Sequence, residues 1–269
     1  MLAYLDDSTL ALWSEAAGIR LSLSRWYARM FGFPELAAHR RFGPVRDMLQ
    51  RHGGETVLDL GAGNGLYSVA DAINRPGSIH LLADVSLRHM RRATATGRSL
   101  ELPIWGVACS APALPLATES LDTVLLIEVL QFIDEDRAAI GEIARVLRPG
   151  GVWVCEQEHS PLHGSLGSNP EARLQKRRFG YAPEALRALA AGAGLILEDS
   201  QMVSGGIGRR WELLDGRIFG RSRLLHSVLF PLNRALSWLL SPPAVDGKPG
   251  TVLYLFRKAR GSAPVAAPS

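Results

Sequence analysis

The most restrictive feature of this 269-residue chain is a glycine-rich stretch that directly follows a short apolar run. Residues 56–60 read Thr-Val-Leu-Asp-Leu, and residues 61–65 read Gly-Ala-Gly-Asn-Gly. A short apolar run that ends in glycines is typical of a buried parallel strand, and glycine permits a sharp turn or the close approach of a ligand. With a helix expected over Leu66–Asn74, the segment predicts a strand–turn–helix unit. Asp59 would then face the crevice where open α/β sheets bind ligands.

The spacing of the glycines decides between ligands. The dinucleotide pattern G-x-G-x-x-G/A accommodates Gly61 and Gly63, but its last position is Leu66 and the third glycine comes early, at Gly65. No Gly-Lys-Ser/Thr follows, as a phosphate-binding P-loop would need. The stretch instead resembles motif I of the class I S-adenosylmethionine (AdoMet) dependent methyltransferases, although a turn without any ligand is an alternative. The resemblance implies AdoMet as co-substrate, bound through Asp59, Gly61, Ala62, Gly63, Asn64 and Gly65.

A second acid follows the next predicted strand, Ser78–Ala83. Asp84 lies 23 residues beyond Gly61, close to the spacing of roughly 20 residues at which an acid binds ribose hydroxyls in nucleotide-binding folds. A charge-assisted hydrogen bond of this kind contributes about 1.5–3 kcal/mol. The alternative role of Asp84 is to cap a helix predicted over Ser86–Thr96. Together with the glycine loop, Asp84 and the adjacent Val85 are predicted to bind the nucleoside.

The remaining pattern predicts a complete α/β sheet. Helices are expected over Glu135–Leu147 and from Pro183 to Ala191, and further strands over Ile104–Cys109, Ser120–Ile127, Val152–Glu156, Leu195–Val203 and Thr251–Arg257. The resemblance implies a Rossmann-like, doubly wound sheet of seven mostly parallel strands with an antiparallel last strand. We expect a helical cap at 1–52, a methyltransferase domain at 53–260 with a helical insertion at about 204–249, and a disordered tail at 261–269.

Two further contacts are implied by the resemblance. Related enzymes commonly place an adenine-binding Asp after the third strand, where this chain has Ser110. The Ser110 hydroxyl and the Ala111 backbone N–H are therefore the candidates for the adenine edge. Glu128, at the end of the fourth strand, is expected to line the AdoMet or the acceptor site. Many relatives have a histidine close to the position of Gln131, and this chain has none there.

The end of the fifth strand supplies the candidate catalytic groups, Glu158 and His159. A phenol, enol or quinol must lose a proton before its oxygen or carbon attacks the methyl group, and an imidazole titrates near neutral pH. A surface histidine without a catalytic role is the alternative for His159. Methyl transfer is otherwise mainly a matter of aligning the reacting atoms.

Cysteine usage and the N-terminal residues bear on the compartment. Cys109 and Cys155 are too few for a disulfide scaffold or a cysteine-rich metal site, and no metal is expected; they suit a reducing environment. The chain begins Met-Leu-Ala-Tyr-Leu-Asp-Asp, with acids where a signal peptide needs positive charge. We therefore expect a cytoplasmic protein.

The C-terminal part is basic, since residues 200–269 hold ten Arg and Lys residues against three acids. Within the insertion, residues 217–240 combine arginines with Leu, Phe and Trp, and Pro231 and Arg234 interrupt the apolar run. That run is too short for a membrane span. Three alternatives remain for 217–240: peripheral docking on the inner membrane face, a wall of a hydrophobic acceptor pocket, or packing on the sheet or on a partner subunit in a homodimer.

The run Ala-Arg-Val-Leu-Arg-Pro-Gly-Gly at 144–151 resembles a hallmark of the small-molecule branch, and within it the chain resembles the ubiquinone/menaquinone-biosynthesis-like methyltransferases. We expect methyl transfer to a carbon or oxygen of a hydrophobic small molecule: a lipid, an isoprenoid quinol or a polyketide. Alternatives are a non-catalytic AdoMet-fold binding subunit, an NAD-linked enzyme and an RNA methyltransferase. Nucleic acid is disfavoured because Ile-Glu-Val-Leu at 127–130 replaces the Asn/Asp-Pro-Pro-Tyr/Phe motif of the amino-methylating enzymes.

Overall fold

The computed structural model describes residues 36–159, 180–205 and 250–261, together with the single positions Leu229 and Leu232. The helices are α1 (Leu36–His52), α2 (Leu66–Asn74), α3 (Leu87–Ser99), α4 (Asp136–Val146) and α5 (Pro183–Gly192), with a short 3₁₀ turn at Leu130–Phe132. The strands are β1 (Thr56–Leu60), β2 (Ile79–Asp84), β3 (Ile104–Ala108), β4 (Leu121–Ile127), β5 (Leu147–His159), β6 (Leu195–Gly205) and β7 (Gly250–Lys258).

The seven strands form one sheet in the order β3-β2-β1-β4-β5-β7-β6. Strand β1 runs parallel to both β2 and β4, and β3 and β5 continue the parallel arrangement on either side. The final strands are antiparallel, so the predicted sheet is confirmed. From β1 the chain passes outward through β2 to β3 and then crosses back to β4, on the other side of β1. The carboxyl end of β1 is therefore the topological switch point, where folds of this kind bind ligands.

The core explains why the central strands are continuously apolar. Val124, Leu125 and Leu126 in β4 are all fully buried, as expected for a parallel strand covered on both faces. Helix α4 presents Ile140 and Ile143 to the same core, three residues apart on one helical face. These contacts hold the ends of β1 and β4 in fixed positions.

Strand β5 starts earlier than predicted, which corrects the expected helix end at Leu147 and strand start at Val152. Leu147 already has extended dihedral angles and pairs with Leu121, and the register shifts between Leu121 and Thr123. Gly150 has φ 83° and lies inside this irregular strand. The Arg148 guanidinium donates to Asp122 Oδ1 at 2.5 Å, across the same irregularity.

Several predictions concern residues outside the described ranges. They are the part of the cap before Leu36, the insertion between residues 205 and 250 apart from Leu229 and Leu232, the segment 217–240 with those two exceptions, and the tail after Gly261. Of the helices in the described ranges, none combines the length and the apolar composition that a bilayer crossing requires.

A buried polar cluster lies at the edge of the sheet opposite the glycine loop. The Asp71 carboxylate pairs with the Arg75 guanidinium, which also donates to the carbonyl oxygens of Gly53 and Gly54 at 3.1 and 3.0 Å. His80 is fully buried, with Nε2 3.4 Å from Asp71 Oδ2. The cluster joins the end of α2 to the residues preceding β1 and to β2, and no sequence motif indicated it.

The pKa of His80 predicts a pH dependence of stability. Burial lowers this pKa from 6.5 to about 4, against the opposing effect of Asp71. Between these pH values the unfolded chain binds a proton that the folded chain does not bind. The free energy of unfolding should therefore fall as the pH drops from 6.5 to about 4, by at most ~1.4 kcal/mol per pH unit from this group.

Urea unfolding of the wild type and of His80→Gln across this pH range isolates the effect, because other titrating groups contribute to both proteins. The slope should be flatter in His80→Gln, whatever its absolute stability. Equal slopes in the two proteins would contradict the assignment.

Candidate functional site

The three glycines of the loop after β1 all have left-handed backbone angles but differ in their surroundings. A Cβ on Gly61 (φ 74°) would lie 2.3 Å from a Val129 methyl group, and one on Gly65 (φ 78°) would lie 2.7 Å from a Leu82 methyl group. Gly63 (φ 55°) would meet nothing within 4 Å. Gly61 and Gly65 thus allow close internal packing, whereas Gly63 borders open space.

Asp84 at the end of β2 is bonded directly to this loop. Its Oδ2 accepts a hydrogen bond from the Gly63 N–H at 3.0 Å, and its Oδ1 accepts one from the Ser86 N–H at 2.8 Å. The N-cap of α3 is Ser86, whose hydroxyl accepts from the His89 N–H, so Asp84 is not the capping residue. The Asp84 side chain is 13% exposed, which leaves part of the carboxylate accessible to a ligand.

Asp59 is a buried acid beside the loop. Its Oδ2 accepts a hydrogen bond from the Ser68 hydroxyl at 2.8 Å. Burial raises the pKa of Asp59 to about 7, although the hydrogen bonds from Ser68 act in the opposite direction. Sequence reasoning did not identify Ser68, the third residue of α2, which is buried in the first turn of the helix.

The loop after β3 is hydrogen-bonded to the backbone of Asp84. The Cys109 N–H donates to the Asp84 carbonyl oxygen at 3.1 Å. Ser110, the next residue, is exposed, and Ala111 is buried. The predicted adenine contacts therefore follow the residue that is bonded to the backbone of Asp84.

The other predicted loop contacts are more exposed. Val85 is 79% exposed and Asn64 is also exposed, so both are available to a ligand. The Gly61 and Ala62 N–H groups donate to the Ala83 carbonyl oxygen at 2.7 and 3.2 Å. These two N–H groups join the start of the loop to β2 and are thus already used within the protein.

The ends of β4 and β5 form the second half of the site. Glu128, directly after β4, has φ 56°, a left-handed angle that a side-chain-bearing residue rarely adopts, and its N–H donates to the Glu156 carbonyl oxygen at 3.3 Å. The carbonyl oxygen of Glu158 accepts from the Tyr181 N–H at 3.0 Å. His159 is the last described residue of β5, and the description does not extend to its side chain.

Two buried amides near these strand ends were not predicted as site residues. Gln131 and Gln157 are 3% and 1% exposed, and within the described structure the amide oxygen of each has no hydrogen-bond partner. Gln157 donates through Nε2 to Cys155 Sγ at 3.7 Å. Their sequence signal was weak because a glutamine inside or beside a strand is ordinarily a surface residue.

The structure thus brings Asp59, the glycine loop and Asp84 together at the carboxyl ends of β1 and β2. A hydrogen bond joins the glycine loop directly to Asp84. Glu128 directly follows β4, and Glu158 lies at the end of the neighbouring β5, since β4 and β5 pair in parallel up to Ile127 and Glu156. The site therefore has a glycine-lined half at β1 and β2 and an acidic half at β4 and β5.

Comparison with known proteins finds a family match over the part of the chain that contains most of this site. Residues 58–155 match the family described as "Methyltransferase domain". A demethylmenaquinone methyltransferase of Mycolicibacterium paratuberculosis is 30% identical over 184 residues, which are 61% of this chain and 73% of that protein. One of Mycobacterium tuberculosis is 30% identical over 194 residues, covering 65% of this chain and 76% of the relative.

Solved structures share the fold. Geranyl diphosphate C-methyltransferase from Streptomyces coelicolor, in complex with Mg2+, geranyl diphosphate and S-adenosyl-L-homocysteine, aligns with a TM-score of 0.61, 18% identity and 82% coverage of both chains. The cyclase SpnF aligns with a TM-score of 0.60 and 20% identity, covering 83% of this chain and 82% of its own. The matches in sequence, together with the sheet order and the loop at its switch point, establish that the chain belongs to the class I S-adenosylmethionine-dependent methyltransferases.

Proposed function

We propose that this methyltransferase transfers the methyl group of AdoMet to a carbon or oxygen atom of a hydrophobic small molecule: a lipid, an isoprenoid quinol or a polyketide. The structural observation that carries the proposal is the hydrogen bond between the Gly63 N–H and Asp84, which links the two predicted cofactor-binding elements. Support for the acceptor class comes from the relatives that act on demethylmenaquinone.

The described residues fit an adenosyl group. An ionised carboxylate offers about four acceptor positions. Asp84 uses two of these on the N–H groups of Gly63 and Ser86, so positions remain for ribose hydroxyls. The space beside Gly63 lets a ligand approach the backbone where a Cβ would otherwise stand. We assign the adenine side to Val85, Ser110 and Ala111.

Bound AdoMet supplies a methyl group on a positively charged sulfur. We propose that Asp59, held in place by Ser68, provides a buried negative charge for this sulfonium. Because little solvent reaches this acid, its interaction with a cation is weakly screened. The chain would therefore favour a cationic ligand at the switch point.

The acceptor is assigned to the ends of β4 and β5. Glu128 has a strained, left-handed backbone angle at the edge of the site. We propose that it lines the acceptor or the cofactor in a fixed position. Glu158 and His159 remain the proposed groups that remove a proton from the acceptor. The segment 217–240 stays a predicted wall, membrane contact or subunit contact, and the cytoplasmic location stays a prediction.

The acceptor class can be tested with methyl-labelled AdoMet. We expect label in the organic phase when the enzyme is supplied with demethylmenaquinol or with a bacterial total lipid extract. Total RNA serves as the parallel substrate. Transfer to RNA and not to any lipid fraction would contradict the proposed acceptor.

The Asp84→Asn variant should bind AdoMet at least about tenfold more weakly, because it exchanges charge-assisted hydrogen bonds for neutral ones. Isothermal titration calorimetry measures the change. Asp122→Asn is a matched control, since Asp122 also accepts from a backbone N–H, that of Thr56, but is the second residue of β4, at the opposite edge of the sheet. This control should lose stability and keep its affinity. Equal affinities for wild type and Asp84→Asn would remove Asp84 from the binding site.

The raised pKa of Asp59 predicts a second pH dependence of stability, for the protein without AdoMet. Burial raises its pKa from 3.8 to about 7, so above pH 3.8 the unfolded chain loses a proton that the folded chain retains. The stability due to the protonated acid is complete below 3.8 and is lost as the pH rises through about 7. Asp59→Asn should remove this loss, worth at most ~1.4 kcal/mol per pH unit.

The free energy of unfolding of the wild type and the variants can be measured by urea unfolding at several pH values between about 4 and 8. Asp59→Asn should unfold with a flatter pH dependence than the wild type. Ser68→Ala, which removes a hydrogen bond that favours the charged carboxylate, should extend the loss to higher pH. A wild-type slope in Asp59→Asn would show that the acid is already ionised.

A further inference from the structure

Helix α3 carries a basic face that the cofactor site does not use. Its 13 residues include Arg88, Arg91, Arg92 and Arg98 and no acid. At 3.6 residues per turn these four arginines fall on one side of the helix. The opposite side, with Met90 and Ala93, is buried in an apolar cluster against the sheet, and Arg88, Arg91 and Arg98 are exposed.

The positive charge of this face is not compensated within the protein. In the described structure none of the four guanidinium groups makes an ion pair or a hydrogen bond. Arg88 lies in the first helical turn, where the positive end of the helix dipole disfavours a cation and where no acid is present. Arg88 also has a like charge three and four residues on, at Arg91 and Arg92, which further destabilises the helix.

Apolar burial stabilises α3 in spite of these charges. Charges that destabilise the helix carrying them indicate that they have a role in binding. An anionic partner would neutralise all four arginines at once.

We propose that the exposed face of α3 docks on an anionic lipid surface. Leu87, the first residue of the helix, is 52% exposed, so the basic face begins with an accessible aliphatic side chain. Arginines beside exposed aliphatic residues are the composition of helices that lie in a membrane interface. Sequence-tolerant binding of single-stranded nucleic acid uses aromatic stacking platforms, and the arginines and aliphatic residues of this face supply none.

The place of this face in the fold has a consequence for the acceptor, which rests on the proposed function. Asp84 ends β2 and Leu87 begins α3, so the docking face starts at the strand edge that holds the proposed AdoMet site. Docking through α3 would bring this edge close to the lipid headgroups. A hydrophobic acceptor could then enter from the bilayer without crossing water.

The test is co-sedimentation of the full chain with phosphatidylcholine vesicles, with and without phosphatidylglycerol. We expect sedimentation only with the anionic vesicles, weakened by added salt. The variant R88Q/R91Q/R92Q should partition more than tenfold less, since each basic residue near an anionic surface contributes about a fivefold factor. R137Q/R187Q/R260Q removes three arginines from exposed positions elsewhere and should partition like the wild type.

Two further measurements separate lipid from other polyanions. Leu87→Ser should weaken vesicle binding and leave any binding to a single-stranded RNA oligonucleotide unchanged. AdoMet affinity without vesicles should be equal in the wild type and all three variants, which shows that they fold. Equal partition of R88Q/R91Q/R92Q and the wild type would overturn the proposal. Unchanged vesicle binding by Leu87→Ser, with tighter binding to RNA than to vesicles, would also overturn it. Neither outcome bears on methyl transfer itself.

Discussion

One hydrogen bond, from the Gly63 N–H to Asp84, connects the ends of β1 and β2 at the proposed cofactor-binding edge. It requires β1 and β2 to end side by side, which their parallel pairing up to Leu60 and Ala83 provides. It also requires the left-handed turn that only glycines adopt easily. The sheet order, the tight contacts of Gly61 and Gly65 and the buried core of β4 can all be understood as conditions for this single arrangement.

Two buried acids of the same domain illustrate how structural and functional charges differ. Asp71 and Asp59 are each 3% exposed. Both carboxylate oxygens of Asp71 are paired with the guanidinium group of Arg75, so the charge of Asp71 is compensated inside the protein. Among the described residues Asp59 accepts hydrogen bonds from Ser68 alone, and burial raises its pKa to about 7. We propose that the cation of AdoMet supplies a countercharge for Asp59.

Sequence reasoning recovered what depends on local pattern. Helix α2 has its predicted bounds, and Asp59 and Asp84 lie at the strand ends where the period of the apolar residues placed them. It failed where distant residues decide the outcome. Strand β5 extends through Arg148 and Gly150 because β4 pairs with it, and the cluster of Asp71, Arg75 and His80 combines residues whose proximity no motif encodes.

The same fold supports different chemistries, as the structural similarity to the cyclase SpnF illustrates, so the acceptor must be argued from the acidic half of the site. There Gln131 is buried, and its amide oxygen has no hydrogen-bond partner in the described structure. A glutamine cannot act as a base at neutral pH. If a base is needed for this acceptor, we infer that it comes from Glu158 or His159, the last two residues of β5, because β5 is the neighbour of the strand that ends next to Glu128.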